Sequence, residues 1–361
     1  GSDAFINLIK IRDVLPMTVD SNANVGQYKE QYFRKNTIPQ GRYQYYFQAN
    51  NGAQVIQNEE GPLSLETGYS NVVFIPGIQA SRLYFQDDNR IWEPNGLSDA
   101  EKLVMKSDSS GESKFADIYT KDVIDEVFNF LGNIYLSLLI DLDTWKSEGD
   151  INNWTALPYD WRLSYEQILS RGIENNGQID YLSELPEGVE PYFYKKIQEM
   201  IDTSANGKVT IVAHSMGGRI AKKMFVSLEQ NRSSGEEHMS ERAKNIINNT
   251  ENFIMVASPQ LGTPKSVASL LHGYDQTLLL LIDLMTAKEV GRYMPAAYSL
   301  LPSLRYFQRV KESVDNGNST SFEDTDIVRF DYSLGLFQRT KDKQDFDFYH
   351  KYSADSLGYD N

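Results

Sequence analysis

Three short apolar runs punctuate the chain. They are Val72-Val73-Phe74-Ile75, stopped by Pro76-Gly77, then Val209-Thr210-Ile211-Val212-Ala213, then Phe253-Ile254-Met255-Val256-Ala257. Runs rich in β-branched residues, with no polar alternation, predict strands covered on both faces, as in a parallel sheet. Between them apolar residues recur at helical spacing. From Val123 to Leu142 the stripe is Val127, Phe128, Leu131, Ile134, Tyr135, Leu138 and Leu139. Tyr165, Ile168 and Leu169 begin a further helix, and Phe193, Ile197 and Ile201 lie one turn apart on the next. Ile220, Met224 and Phe225 follow the second run in the same way, while WTALPYDWR (154–162) reads as an extended segment entering a turn. Strands alternating with helices predict a doubly wound, mostly parallel α/β sheet.

The two ends break this rhythm. Residues 1–66 are polar and rich in Asn, Gln and Tyr, and GRYQYYFQANNG (41–52) predicts a strand turning at Asn50-Asn51-Gly52 into a hairpin. The expectation is a small β-rich N-terminal module over 1–66, of a partial immunoglobulin-like kind, with Pro62 and Gly68 in the linker. The alternative is an N-terminal decoration of a single domain. The α/β domain then spans 67–361, and about 264–361 reads as a helical cap: amphipathic helices, a polar loop at 315–326 and an aromatic, charged tail. The apolar stretches 134–142 and 278–285 are either core helices or a lipid-facing lid.

Composition narrows the function classes. With 35 Lys and Arg against 50 Asp and Glu the net charge is −15. That argues against nucleic acid as a partner and against purely electrostatic docking on anionic lipid, while leaving apolar contact with a lipid surface open. The chain has no cysteine, so disulfides and thiolate chemistry are excluded. No run approaches the length of a membrane span.

The candidate chemistry is at AHSMGG (213–218). A serine hydroxyl is a weak nucleophile until a base removes its proton. One solution sets it on a strained strand-to-helix turn, which needs small residues two before and two after the serine. Ala213 and Gly217 occupy those positions around Ser215. The N–H of Met216 would be one oxyanion donor. A second donor is expected from the turn after an earlier strand, at Phe74-Ile75-Pro76-Gly77-Ile78; Ile78 is the candidate, with Gln79 next. His214 adjoins Ser215 on the wrong face to be its base.

Five segments occur in order: FIPGIQASRLY (74–84), LPYDWR (157–162), AHSMGG, ASPQLGTPKS (257–266) and AYSLLPSLRYF (297–307). Together they resemble the lecithin:cholesterol acyltransferase-like family of α/β hydrolases, especially its bacterial members. The resemblance covers roughly 70–310. It implies the α/β-hydrolase fold, and cleavage of lipid acyl esters with transfer of the acyl group to water or an alcohol through an acyl-enzyme on Ser215. It implies no metal and no organic cofactor. The partners it implies are a lipid or other acyl-ester substrate and transient membrane-surface contact through the cap. The Asp160-Trp161-Arg162 trio is expected to brace the cap against the sheet. A thioesterase or peptidase of the same fold, or a non-catalytic binding protein on a hydrolase scaffold, are the competing readings.

The family's triad runs Ser, Asp, His along the chain. Three histidines follow Ser215. His238 lies in the charged stretch RSSGEEHMSER, expected to be a loop, and His272 follows the third strand too soon. His350 is then the candidate base, with Asp326 or Asp324 as its acid. The stretch 340–354 reads as a cap helix, and no further apolar strand precedes Asp324. The expectation is therefore a chain that stops before the last strands of the sheet, with Asp and His beyond Asn361. An exported bacterial surface location is expected for a lipid-handling chain of this kind.

Overall fold

The computed structural model of the chain describes residues 3–10, 14–18, 41–50, 55–57 and 63–309, except 95, 109, 128–131, 233–236, 274–283, 304 and 307. The strands before residue 68 are described as backbone only. β1 (Asp3–Lys10), β2 (Val14–Thr18), β3 (Gly41–Asn50), β4 (Val55–Gln57) and β5 (Leu63–Thr67) form one antiparallel sheet. β3 pairs with β1 along its length, and with β4 and β5 on other registers. Asn50 faces Val55 across the hairpin expected at ANNG.

β6 (Asn71–Ile75) opens the parallel sheet. After it come β7 (Ser81–Phe85), β8 (Asn89–Trp92), α1 (Leu97–Glu101), β9 (Ile118–Val123), the short pair β10 (Glu126–Val127) and β11 (Gly132–Asn133), α2 (Leu136–Glu148) and β12 (Trp154–Ala156). Next are α3 (Tyr165–Arg171), β13 (Gly172–Asn175), β14 (Gln178–Tyr181), α4 (Tyr192–Asp202), β15 (Val209–His214), α5 (Met216–Arg232), α6 (Glu237–Asn249) and β16 (Thr250–Val256). α7 (Pro264–His272), α8 (Leu284–Arg292) and α9 (Pro295–Ser299) follow.

Among the described residues the parallel sheet has the order β12-β6-β15-β16. Every residue of β6 is buried, which is why Val72–Ile75 is apolar without alternation. β16, at the end of the described sheet order, was expected to be covered likewise but leaves Ile254, Met255 and Val256 exposed. Ala213 of β15 lies opposite Ile75 of β6 and Met255 of β16. The three strands therefore end level, and the loops after them leave the sheet on one edge. Helices α3, α4 and α5 supply buried apolar faces around it, with Ile168, Phe193, Ile197, Ile220 and Met224 fully shielded from solvent. α3 starts on a capping box: Gln167 N–H donates to Ser164 Oγ (3.2 Å) and Ser164 N–H donates to Gln167 Oε1 (2.9 Å).

Two expectations fail here. The helix read from Val123 begins only at Leu136; Val123 instead closes β9. Among the described residues its apparent stripe joins Val127 of β10 to Leu138 and Leu139 of α2. The helix starts where the Asp125 carbonyl accepts the N–H groups of Ile134, Tyr135 and Leu136 (2.8, 3.0 and 3.1 Å). α2 is also not a core helix, since Leu142 is its one buried residue while Ile140 and Trp145 are exposed. The second failure is RSSGEEHMSER, which is helical from Glu237 rather than a loop. Ala243 and Ile246, buried further along α6, provide the packed stripe that carries its charged first turns.

A second sheet, β13-β14-β9-β7-β8, is antiparallel throughout and stands apart from the parallel one. It is absent from the sequence reading. Among the described residues no helix is long and apolar enough to cross a membrane.

Candidate active site

Ser215 sits between the end of β15 and the start of α5, at φ 51°. This left-handed backbone is strained for a residue with a Cβ. It is held by a hydrogen bond from Ser215 N–H to the Val256 carbonyl (2.8 Å) and by one from Gly218 N–H to the Ser215 carbonyl (3.1 Å). The two glycines after Met216 each answer a different contact. A Cβ on Gly217 would come within 2.5 Å of the carbonyl oxygens of Ile75 and Pro76. A Cβ on Gly218 would fall 2.0 Å from Ser258 Oγ. Helix α5 thus begins wedged between the turn after β6 and the turn after β16.

The turn at 76–79 approaches from the other side. A Cβ on Gly77 would lie 3.1 Å from both His214 Nδ1 and Ser215 Cβ, so this turn and the serine turn touch through glycine. Three aromatic side chains from three segments hold the turn. Tyr159 O–H donates to the Pro76 carbonyl (2.8 Å). Gly77 N–H donates to Tyr135 Oη (2.9 Å). Trp92 Nε1–H donates to the Gln79 carbonyl (2.6 Å), and Gln79 itself has φ 60°.

Ile78, Gln79 and Ser215 line one cavity of about 420 Å³, together with Ala257 and Pro259 from the turn after β16. The volume falls in the range of small-molecule sites. The position, at the carboxyl ends of parallel strands, is where α/β sheets bind ligands. Trp92 and Trp161, edge to face at 5.0 Å, form one wall, and α7 and α8 contribute Leu270, Ala287 and Val290 to the other. The lining is largely apolar. Among the described residues no group of three or more His, Cys, Asp or Glu side chains could hold a metal ion.

The segments singled out in the sequence meet around this cavity. Thr263 caps α7, accepting from Lys265 N–H (3.3 Å), while its own N–H donates to the Leu300 carbonyl (2.8 Å). Ser303 N–H donates to the Leu261 carbonyl (2.9 Å). The LGTP and SLLPS stretches are therefore stitched together. In PYDWR, Arg162 is fully buried and forked onto Asp160, Nε to Oδ1 at 2.9 Å and Nη2 to Oδ2 at 2.6 Å. Arg162 also donates to the Leu103 carbonyl and Ser113 Oγ, and its carbonyl accepts Ala296 N–H of α9 (3.4 Å). That fork fixes Trp161 between them, with its indole N–H on the Ser81 carbonyl (3.1 Å).

Of the candidate site residues, Ser215 and Ile78 share the cavity, and Met216 is buried at the start of α5. His350, Asp326 and Asp324 lie outside the described residues, as does 278–283 of the apolar stretch. Leu284 and Met285, at its end, are exposed. His272 is the last residue of α7 and His238 lies in α6. His214 is half-buried, its Nδ1 is 2.7 Å from Tyr135 Oη, and burial holds its pKa below the usual histidine value. Burial also pushes the Tyr135 phenol up to about 12. Tyr135, Trp92 and Tyr159 were not among the sequence candidates. Nothing in their local sequence marks them, apart from Tyr159 and its neighbours belonging to PYDWR.

A family model described as lecithin:cholesterol acyltransferase matches residues 133–358. A phospholipid:diacylglycerol acyltransferase of Schizosaccharomyces pombe is 30% identical over 122 residues, which is 34% of this chain and 16% of that protein. The chain thus spans about a sixth of that relative's length. A solved structure, "The crystal structure of Tle4-Tli4 complex", is 15% identical with a TM-score of 0.34, covering 67% of this chain and 56% of the other.

Proposed function

The chain belongs to the lecithin:cholesterol acyltransferase family, and from that premise we propose that it is a serine hydrolase of α/β-hydrolase fold acting on lipid acyl esters. The single observation that carries this reading is Ser215. It is held at φ 51° on a strand-to-helix turn, facing an apolar cavity shared with Ile78 and Gln79. An inert serine has no need of that strain, nor of glycines at 77, 217 and 218 to let three turns converge.

The reaction follows from this geometry. Ser215 Oγ attacks the ester carbonyl while a base takes its proton. The carbonyl oxygen becomes an oxyanion, and the N–H groups of Ile78 and Met216 donate to it. The N-terminus of α5 adds its positive end. Collapse expels the alcohol, protonated by the base, and leaves the acyl group on Ser215. Water or a second alcohol then attacks the acyl-enzyme. For the base we propose His350, with Asp326 as its partner, over the other expectation of an Asp and a His beyond Asn361. The apolar cavity suits the acyl chain, and no metal or cofactor takes part. Contact with a lipid surface and export from a bacterial cell belong to the same reading.

Product analysis tests it. The purified chain, given a phospholipid or neutral acyl ester, should release fatty acid, and a new ester should appear when an alcohol such as a sterol or diacylglycerol is added. Cleavage of amides or thioesters with no action on oxygen esters would contradict it.

A further inference from the structure

We propose that Tyr135 is a positioning residue that sets the distance between the two halves of the oxyanion site. The inference rests on the reading of Ser215 as nucleophile with Ile78 and Met216 as donors. Its basis is one oxygen atom. Tyr135 Oη accepts the Gly77 N–H (2.9 Å) and lies 2.7 Å from His214 Nδ1. Gly77 precedes Ile78, and His214 precedes Ser215 and Met216. The phenol therefore links the residue before one proposed donor to the residue before the nucleophile.

The directions of these bonds follow from burial. Tyr135 is buried, so a phenol proton left without an acceptor would be costly. Its oxygen already accepts from Gly77, and the proton goes to His214 Nδ1. That assignment puts the imidazole proton of a neutral His214 on Nε2, in keeping with the downward pKa shift that burial imposes. Each half of the site thereby contacts the same atom through a directional bond.

The backbone anchor of Tyr135 lies outside both halves. Its own backbone N–H is held by the Asp125 carbonyl (3.0 Å), and the Asp125 carboxylate is held by Arg82 of β7 at 2.6 Å. Its ring stands edge to face on Phe74 at 4.8 Å. Tyr159 and Trp92 also bind the 76–79 turn, but their bonds given above go to that turn alone. Tyr135 bonds both sides. Displacements of about an ångström at a reacting site are worth roughly 100-fold in rate, so a link of this kind is read in kcat rather than in substrate binding.

The test uses the full chain and a chromogenic acyl ester. Tyr135→Phe keeps the ring and its packing on Phe74 while removing the oxygen. The expected result is a fall in kcat of roughly 10- to 100-fold with KM within about twofold, in a protein still folded at the assay temperature. His214→Leu removes the same link from the other end and should lose a similar factor. His214→Asn puts an amide oxygen near the position of Nδ1 and should recover most of that loss. The double variant Tyr135→Phe/His214→Leu should be no slower than either single one, because both break one link. Wild-type kcat in Tyr135→Phe, losses that multiply in the double variant, or no recovery with His214→Asn would overturn the inference while the serine-hydrolase reading stands. A wild-type chain with neither ester turnover nor a reactive Ser215 would overturn both.

Discussion

Gly217 and Ile75 meet backbone to backbone: a Cβ on Gly217 would lie 2.5 Å from the Ile75 carbonyl oxygen. Neither partner can yield as a flexible side chain would, so the start of α5 and the end of β6 are fitted to a residue with no side chain. Gly217→Ala should push the serine turn away from the 76–79 turn. The expected cost is about 1–3 kcal/mol of stability, read as a lower urea midpoint, with a larger proportional loss of ester turnover than of folded protein. A variant with unaltered turnover would show that the contact does not govern the site.

The buried Asp160–Arg162 fork predicts a stability defect. Asp160→Asn leaves the Arg162 guanidinium uncompensated among buried groups, which costs about 3–5 kcal/mol. Denaturant titration checks the value. The Trp161 wall of the cavity should loosen with it, since both flanking residues are released.

Gly291 of α8 lines the cavity, and a Cβ there would meet Leu270 Cδ2 at an ordinary 3.5 Å. A larger side chain therefore fits the backbone and takes up cavity space. Gly291→Phe should shift the preference toward short acyl chains, with kcat/KM for long-chain esters falling roughly tenfold or more relative to short ones. Rates across a chain-length series of esters measure this. An equal fall for all lengths would mean that the acyl group lies elsewhere.

Buried tyrosines make the fold sensitive to alkali. Burial raises Tyr135 and Tyr194 from an ordinary 10 to about 12, and pushes Tyr159, Tyr181 and Tyr192 up as well. The folded chain keeps these protons where the unfolded chain has lost them. Their contribution is therefore fully present below pH 10 and declines as pH rises through 12. Phenolate absorbance should lag behind that of free tyrosine and then rise together with loss of circular dichroism. Smooth titration at the ordinary value, in a folded protein, would contradict it.

The strands that bear the site were legible as apolar runs, although only β6 is buried throughout and β16 leaves Ile254, Met255 and Val256 exposed. Val72–Ile75, Val209–Ala213 and Phe253–Ala257 read as uninterrupted apolar runs, and the structure pairs all three in parallel. The antiparallel sheet was not legible. Its strands, such as SRLYF, IYTKDV and QIDY, are short and mixed in polarity, and Tyr119 pairs with Asp180 across about sixty residues of chain. Helical spacing misled between Val123 and Leu136 because strand residues, Val123 of β9 and Val127 of β10, fell by chance in line with the helix that follows. At the site, AHSMGG and the Pro76-Gly77 turn announced themselves through small residues that sharp turns demand. Tyr135 did not, since an aromatic at the head of a helix has no sequence signature; its role exists only through the convergence of Gly77 and His214.

The most direct measurement is covalent labelling of the purified chain with a fluorophosphonate probe, with the modified residue mapped by mass spectrometry and Ser215→Ala as control. Such probes react quickly only with a serine that a base already activates. The account predicts a single labelled site at Ser215, lost in Ser215→Ala. A folded chain that takes up no label, or one labelled equally in the variant, would contradict it.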